Sequence, residues 1–476
     1  MPAFSADALN ATLALIGAVI VVSALLSGLI ERSGLPQVAV FLALGAMLGI
    51  FGLGWLNVQL DSPILRVVAT LSLALVLFTD ALSLKIPEVR RHSTLAALML
   101  GPGTLLSAAL ITLAGWRLLG LPVAAAAILG AALASTDPVL LRGLLKRPEI
   151  SGAARQALRL ESGMNDAVLL PVVLVAMAFL QHDAPRGAED WARLAVDLLL
   201  LGPGAGIAVG LLAVGALDLV RRRIGVRRDY ESLYSLGVAF TAFAAAEAVH
   251  GSGFLAAFAA GLTISAFDVE LCDCFLEYGE TTAEMALLFT FVLLGSSLIW
   301  SGFSVLSPWT VLFAALVLLA RPAAFLLSLA GTPLVRRDRL VIAWFGPRGL
   351  SSLLLVLLPV FAGVPGSGYL FAVCCLVVLF SVVLHGFSPM LLSGRTAEAP
   401  AVAEPPAAED TIGVEEFQRL RDSGEPVVVL DVRTSRSYDE SDLDAPDAVR
   451  VDPEDARRQV DALGIAKDAH LILFCT

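Results

Sequence analysis

The stretch LESGMNDAVLL (160–170) places Glu161, Ser162, Asn165 and Asp166 inside a run that is otherwise apolar. A charged side chain at the centre of a bilayer costs about 2.5–3.5 kcal/mol on insertion scales, so such residues pair, line water or work. Ser162 and Asp166 are four apart and share one helical face, while Glu161 and Asn165 share the neighbouring face. A carboxylate at Asp166 can hold one metal cation or one proton but not both, so loading one displaces the other. Alternation of access between the two sides of a membrane turns that competition into exchange. The plainer role for Asp166 is a polar clamp between helices.

Other polar residues fall in apolar surroundings. Two roles suit Asp137, in ASTDPVL: a cap on the half-helix that begins at Pro138, and an ion ligand beside the backbone carbonyl of Thr136. Asp80, in LVLFTDALSL, is either a gate or outer ligand of the ion site, or a residue already at the cytoplasmic interface. Arg348 needs a counter-charge, and Glu161 is the expected partner in a structural ion pair. Asn165 is expected to steady the Asp137 region by hydrogen bonds. Arg321, just before Pro322, either snorkels or lines the site. Glu284 is ambiguous, and Glu247 and His250 read as a solvated face.

The elements that must position these groups are membrane helices. The 476 residues are 57% hydrophobic and 16% charged, which excludes an ordinary soluble domain. About thirteen apolar stretches of spanning length occur, near 9–31, 37–55, 63–83, 94–116, 121–141, 158–181, 193–220, 231–249, 252–267, 279–300, 305–330, 339–361 and 368–389. The odd-numbered connections hold most of the Lys and Arg, the acidic loop 268–278 excepted. That bias predicts an N-terminus outside and a C-terminus in the cytoplasm. Spans one to six and eight to thirteen then have opposite orientation, an inverted repeat. The fifth span of each set is interrupted, by Pro138 in one and by Gly346, Pro347 and Gly349 in the other. Matched interruptions in inverted repeats are the mark of a secondary transporter.

Three parts are expected: a transmembrane domain over 1–394, a flexible Ala/Pro/Glu linker over 395–411, and an α/β segment over 412–476. From Arg395 onward there are 9 Lys and Arg against 19 Asp and Glu, so ten of the eleven net negative charges belong to the tail. The acidity therefore says nothing about the transported species, and no nucleic-acid partner is expected. Cys272 and Cys274 lack the further ligands that zinc needs, and Cys374 and Cys375 read as packing.

Together the segments STDPV (135–139), LESGMND (160–166), FTDAL (78–82), HGSGFLAAFAAGL (250–262) and FGPRGL (345–350) resemble the monovalent cation/proton antiporters, in particular the NhaP-like sodium/proton exchangers. The Asn165–Asp166 pair resembles the signature of the electroneutral branch. The resemblance implies a homodimer in the cytoplasmic membrane, with a six-helix core in which the two broken helices cross. It also implies ion-site roles for Asp166, Asp137, Ser162 and Thr136, an accessory role for Asp80, and a buried Glu161–Arg348 pair. The tail resembles a rhodanese-like domain through VVVLDVR (427–433) and through Cys475 at the position of the reactive thiol. The loop that cradles an anion in that family would follow Cys475. The sequence stops at Thr476, so the segment is expected to be incomplete and inactive as a sulfurtransferase.

The function expected is exchange of a monovalent cation for a proton, with Na⁺ the leading candidate and K⁺ or Li⁺ the alternatives. A K⁺/H⁺ antiporter or cation channel regulated by the tail is the rival. The ions are substrates, and no cofactor is expected.

Overall fold

The computed structural model describes residues 37–84, 93–145, 150–181, 187–223, 228–267 and 273–392, with 427–432, 448–451, 470–474 and a few isolated positions; for some of these only the backbone is described. The chain divides into two compact units, 1–392 and 393–476. The expected first span apart from positions 17, 21, 22 and 25, the expected linker, Cys272 and Cys475 fall outside the described residues, as do the side chains of Cys274 and Glu284.

The first unit is helical. In order it contains α1 (Gln37–Leu48), α2 (Pro63–Ser83), α3 (Ser93–Leu119), α4 (Val123–Ala134), α5 (Pro138–Leu145) and α6 (Gly152–Leu180). It continues through α7 (Ala188–Val196), α8 (Gly202–Arg223), α9 (Arg228–Ala248), α10 (Gly253–Ala266) and α11 (Asp273–Ser296). A 3-10 segment (Leu298–Val305) leads to α12 (Pro308–Ser328), α13 (Arg336–Trp344), α14 (Leu350–Phe361) and α15 (Ser367–Leu392). Among the described residues six helices are long and apolar enough to cross a membrane, or seven if Met285–Ser296 and Leu298–Val305, bent by 50°, form one span. Four shorter apolar helices, α1, α4, α10 and α14, accompany them.

Local sequence explains many of the boundaries. Ser151, Ser252 and Ser307 accept the N–H three residues on and so cap α6, α10 and α12. Pro63 and Pro308 open their helices, where a missing N–H costs nothing. Inside α3, Pro102 sits in a five-residue π-helical turn, and Thr104 Oγ1 donates to the Met99 carbonyl at 3.0 Å.

Both interruptions occur. Residues 135–137 separate α4 from α5, and 345–349 separate α13 from α14. The Asp137 N–H donates to the Pro347 carbonyl at 3.0 Å, so the two breaks touch. Helix α4, VAAAAILGAALA, has no polar face and lies buried against α3, α6, α14 and α15, as a helix apolar all round must. Helix α10 is similarly small and apolar, and packs against α2, α8 and α9. At Gly206 in α8 an added Cβ would overlap the Ala256 carbonyl of α10, so glycine sets this close approach.

The second unit contains a parallel sheet of β1 (Val427–Asp431), β2 (Val449–Arg450) and β3 (His470–Phe474), in the order β2-β1-β3. The central strand buries Val429, Leu430 and Asp431.

The α8–α10 contact can be tested in detergent. Gly206→Ala should lower thermal stability by about 1–3 kcal/mol through overpacking. Gly204→Ala, where a Cβ meets nothing within 4 Å, should be neutral or stabilising. Equal effects of the two would refute the packing account.

Candidate ion-binding site

A broken helix exposes the unpaired carbonyls of one half and the unpaired N–H groups of the other. Around the two breaks these groups are met by charged side chains from the other break and from neighbouring helices. The Arg348 guanidinium, in the second break, donates from Nη1 to the Ala134 and Ser135 carbonyls at 3.0 and 3.1 Å and lies 3.4 Å from Thr136 Oγ1. It thereby closes the C-terminal end of α4. The Asp137 carboxylate, in the first break, accepts the Leu350 N–H at 2.6 Å and caps the N-terminal end of α14. Arg321 of α12 donates to the Ile342 and Phe345 carbonyls at 3.3 and 3.5 Å and closes α13. At the far end of α14, Arg66 donates to the Phe361 carbonyl and lies 5.4 Å from its ring centroid.

Glu161 belongs to this frame, with a different partner from the one expected. Arg321 Nη1 and Nη2 donate to Glu161 Oε1 and Oε2 at 2.8 and 3.0 Å, a two-pronged pair with both residues buried. The expected Glu161–Arg348 ion pair is corrected: Arg348 is committed to the end of α4, and the fork from α12 takes the carboxylate. Thr136 Oγ1 donates to Glu161 Oε1 at 3.1 Å, and Arg321 Nη1 lies 2.9 Å from the same hydroxyl. Arg321 also stacks on Phe325, with its guanidinium carbon 4.0 Å from the ring centroid.

Asp166 is 2% exposed and accepts from Ser135 Oγ at 2.5 Å. Ser351, in the first turn of α14, also presents its hydroxyl to the carboxylate, and the charged groups acting on it are Asp137 and Glu161. Among the described residues no cationic side chain forms an ion pair with Asp166. Asn165 is fully buried; its Nδ2 donates to Glu161 Oε1 at 3.3 Å and to the Thr136 carbonyl at 3.5 Å, while its Oδ1 has no hydrogen-bond partner among the described residues. Ser162, four residues before Asp166, is buried but donates back to the Arg159 carbonyl at 3.3 Å, along its own helix. Asp80 is half-buried in the last turn of α2, whose backbone passes Gly163 of α6.

The structure thus gathers Thr136, Asp137, Glu161, Asn165, Asp166 and Arg348 at one crossing. Sequence reasoning left out Ser135 and Ser351, and gave Arg321 no partner. Ser135 stood in the STDPV segment, but a serine in a helix break carries no mark of its direction. Glycines in FGPRGL have a physical cause as well. A Cβ at Gly349 would overlap the Asp137 carboxylate, and one at Gly346 would overlap the Arg321 side chain.

Chemically, the site is a buried carboxylate met by two serine hydroxyls, next to side chains that already balance one another. Residues 19–392 match the family model described as sodium/hydrogen exchanger, transmembrane. The chain is 28% identical over 390 residues to the K(+)/H(+) antiporter NhaP of Alkalimonas amylolytica, covering 80% of this chain and 66% of that one. It is 29% identical over 413 residues to the K(+)/H(+) antiporter NhaP2 of Shewanella sp. (strain ANA-3), covering 84% and 69%. It therefore spans about two thirds of the length of these relatives. Its fold is that of the sodium proton antiporter MjNhaP1 from Methanocaldococcus jannaschii, with a TM-score of 0.65 at 21% identity over 79% of this chain and 99% of that one. With four-fifths of its length matched by the family model, the chain belongs to the transmembrane sodium/hydrogen exchanger family.

Proposed function

We propose that the chain is a cation/proton antiporter in which Asp166 carries either one monovalent cation or one proton at a time. The observation that carries this reading is the charge balance of the crossing. Glu161 and Asp137 offset Arg321 and Arg348, all four buried, and Asp166 is the remaining unit of charge. One proton or one monovalent cation neutralises it, and a buried cluster with an uncompensated charge is costly in a membrane. The two loaded forms therefore suit movement between the two sides better than the empty form does. A single exchanging carboxylate gives one-for-one, electroneutral exchange. Oxygens suited to a desolvated cation are those of Asp166, Ser135 and Ser351, with Asn165 Oδ1 and the Thr136 carbonyl close by; Ser162 and Asp137 would join only after a change of hydrogen-bond partner. Na⁺ and K⁺ are both candidate substrates, the first from the segments shared with sodium/proton exchangers and the second from the names of the relatives.

The finer organisation is proposed on the same footing: thirteen spans in inverted repeats, the N-terminus outside and the C-terminus inside, a homodimer in the cytoplasmic membrane, and an accessory role for Asp80 at the mouth of the site. Support comes from the basic bias of odd-numbered connections and the matched breaks. A rhodanese-like tail is supported by its parallel sheet, in which β3 leads directly to Cys475.

Proteoliposomes with an imposed proton gradient test the function, with Na⁺, K⁺ and Li⁺ added separately. At least one cation should dissipate the gradient, and clamping the membrane potential with valinomycin and balanced K⁺ should leave the rate unchanged within about twofold. A strong dependence on potential would reject electroneutral exchange, and no response to any of the three would reject antiport. Asp166→Asn should reduce exchange to the protein-free background while the protein still folds; a variant as active as the wild type would remove Asp166 from its role.

The ion pair gives a second test. Glu161→Gln and Arg321→Met should each destabilise by about 3–5 kcal/mol, because each leaves the other charge buried alone. The double variant should recover at least about 1 kcal/mol of the summed loss. A larger recovery for Glu161→Gln combined with Arg348→Met would instead restore the expected pairing.

A further inference from the structure

Helix α15 carries Ser381, His385 and Ser388 at i, i+4 and i+7, so the three share a face, and all are buried. That face lies along the second break. Ser381 Oγ accepts the Arg348 N–H at 2.7 Å, and His385 Nδ1 lies 3.1 Å from Ser381 Oγ and 3.3 Å from the Ser381 carbonyl. One turn on, Ser388 Oγ accepts Trp344 Nε1–H at 3.4 Å, and the Trp344 and His385 rings are 5.7 Å apart. Arg348 in turn grips the Ala134 and Ser135 carbonyls, and the Ser135 hydroxyl serves Asp166. A continuous line of contacts therefore runs from His385 to the exchanging carboxylate.

The hydrogens along this line can be assigned. With Ser381 Oγ already accepting from Arg348, its own hydrogen is left to give. A neutral imidazole protonated on Nε2 offers Nδ1 as the acceptor. A ring protonated on both nitrogens donates from Nδ1 instead, so the Ser381 hydroxyl must redirect its own hydrogen and its oxygen is contested between the ring and the Arg348 N–H. It also adds a third positive charge beside Arg348 of the break and Arg321 of α12, the charged groups that act on it. From α13 it meets the Trp344 indole and carbonyl, and α4, α5 and α14 present no described charged side chain to it.

We propose that His385 is a positioning residue for exchange: the neutral ring orients Ser381, which holds Arg348 on the end of α4, and protonation of the ring loosens that hold and slows exchange. The proposal rests on the antiport reading above, and assigns acid sensitivity to a group that touches neither ion.

The test uses the full chain in proteoliposomes, with exchange rates measured between about pH 3.5 and pH 8, a range wide enough to include the change of charge of a buried histidine. His385→Asn keeps an oxygen acceptor near the Nδ1 position and cannot gain the proton. It should keep the neutral-pH rate within about twofold and carry it about one unit further into acid than the wild type. His385→Ala and Ser381→Ala should each lose roughly tenfold at neutral pH, the double variant being no slower than the slower single one, as expected for one shared line of contacts. An acid limb in His385→Asn that superimposes on that of the wild type, or alanine variants as fast as the wild type, would overturn the proposal. Thermal unfolding in detergent across the same pH range needs no transport and separates the two readings. The wild type and His385→Asn should diverge as pH falls even if neither moves ions, and parallel curves would overturn the positioning role.

Discussion

Every feature of the site follows from one constraint, that two helices are broken inside a membrane-embedded fold. Backbone groups left unpaired where no water reaches them cost several kcal/mol each. The protein satisfies them by letting each break serve the other. Arg348 closes the end of α4, Asp137 opens α14, and the Asp137 N–H meets the Pro347 carbonyl. Arg321 closes α13 from a third helix. Charges of opposite sign to the local helix dipoles are thus placed where the dipoles end.

Those charges then need balance of their own, and here structure and function join. Two arginines brought in to cap carbonyls require two carboxylates, and Glu161 and Asp137 are both buried beside them. In the proposed reading, Asp166 exchanges its partner because the frame around it is already neutral. The frame also fixes the small residues. Gly349 makes room for Asp137 and Gly346 makes room for Arg321, so the FGPRGL stretch is shaped by side chains from other helices. Helix α15 supports the arrangement from behind through Ser381, Ser388 and His385, which reach the backbone and indole of the second break.

Much of this organisation was legible in sequence, for physical reasons. Polar residues are too costly in apolar segments to occur without a task, which singled out Glu161, Asn165, Asp166, Asp137, Arg321 and Arg348 from nearly four hundred residues. Proline and glycine cannot continue a helix easily, which located both interruptions to within a few residues. Helical spacing separated the Asp166 face from the Glu161 face. Yet the same spacing placed Ser162 beside Asp166, where the structure turns its hydroxyl back to its own helix.

Sequence by itself determined that this chain is a helical membrane protein, that two of its helices break, and that a carboxylate at 166 sits inside an otherwise apolar helix. These properties follow from composition and from local backbone chemistry, which act over a few residues. Tertiary structure alone decided the partners. The sequence marks Arg348 as the residue in need of a counter-charge and Arg321 as snorkelling or lining the site, and nothing local identifies Arg321 as the mate of Glu161. That choice depends on how α12 and the second break approach α6, a distance across 160 residues of chain that no spacing rule spans. The direction of Ser135 towards Asp166, the capping of α14 by Asp137 from another helix, and the seating of His385 behind Arg348 are likewise decided by the crossing, because each joins groups that become neighbours only when the broken helices meet.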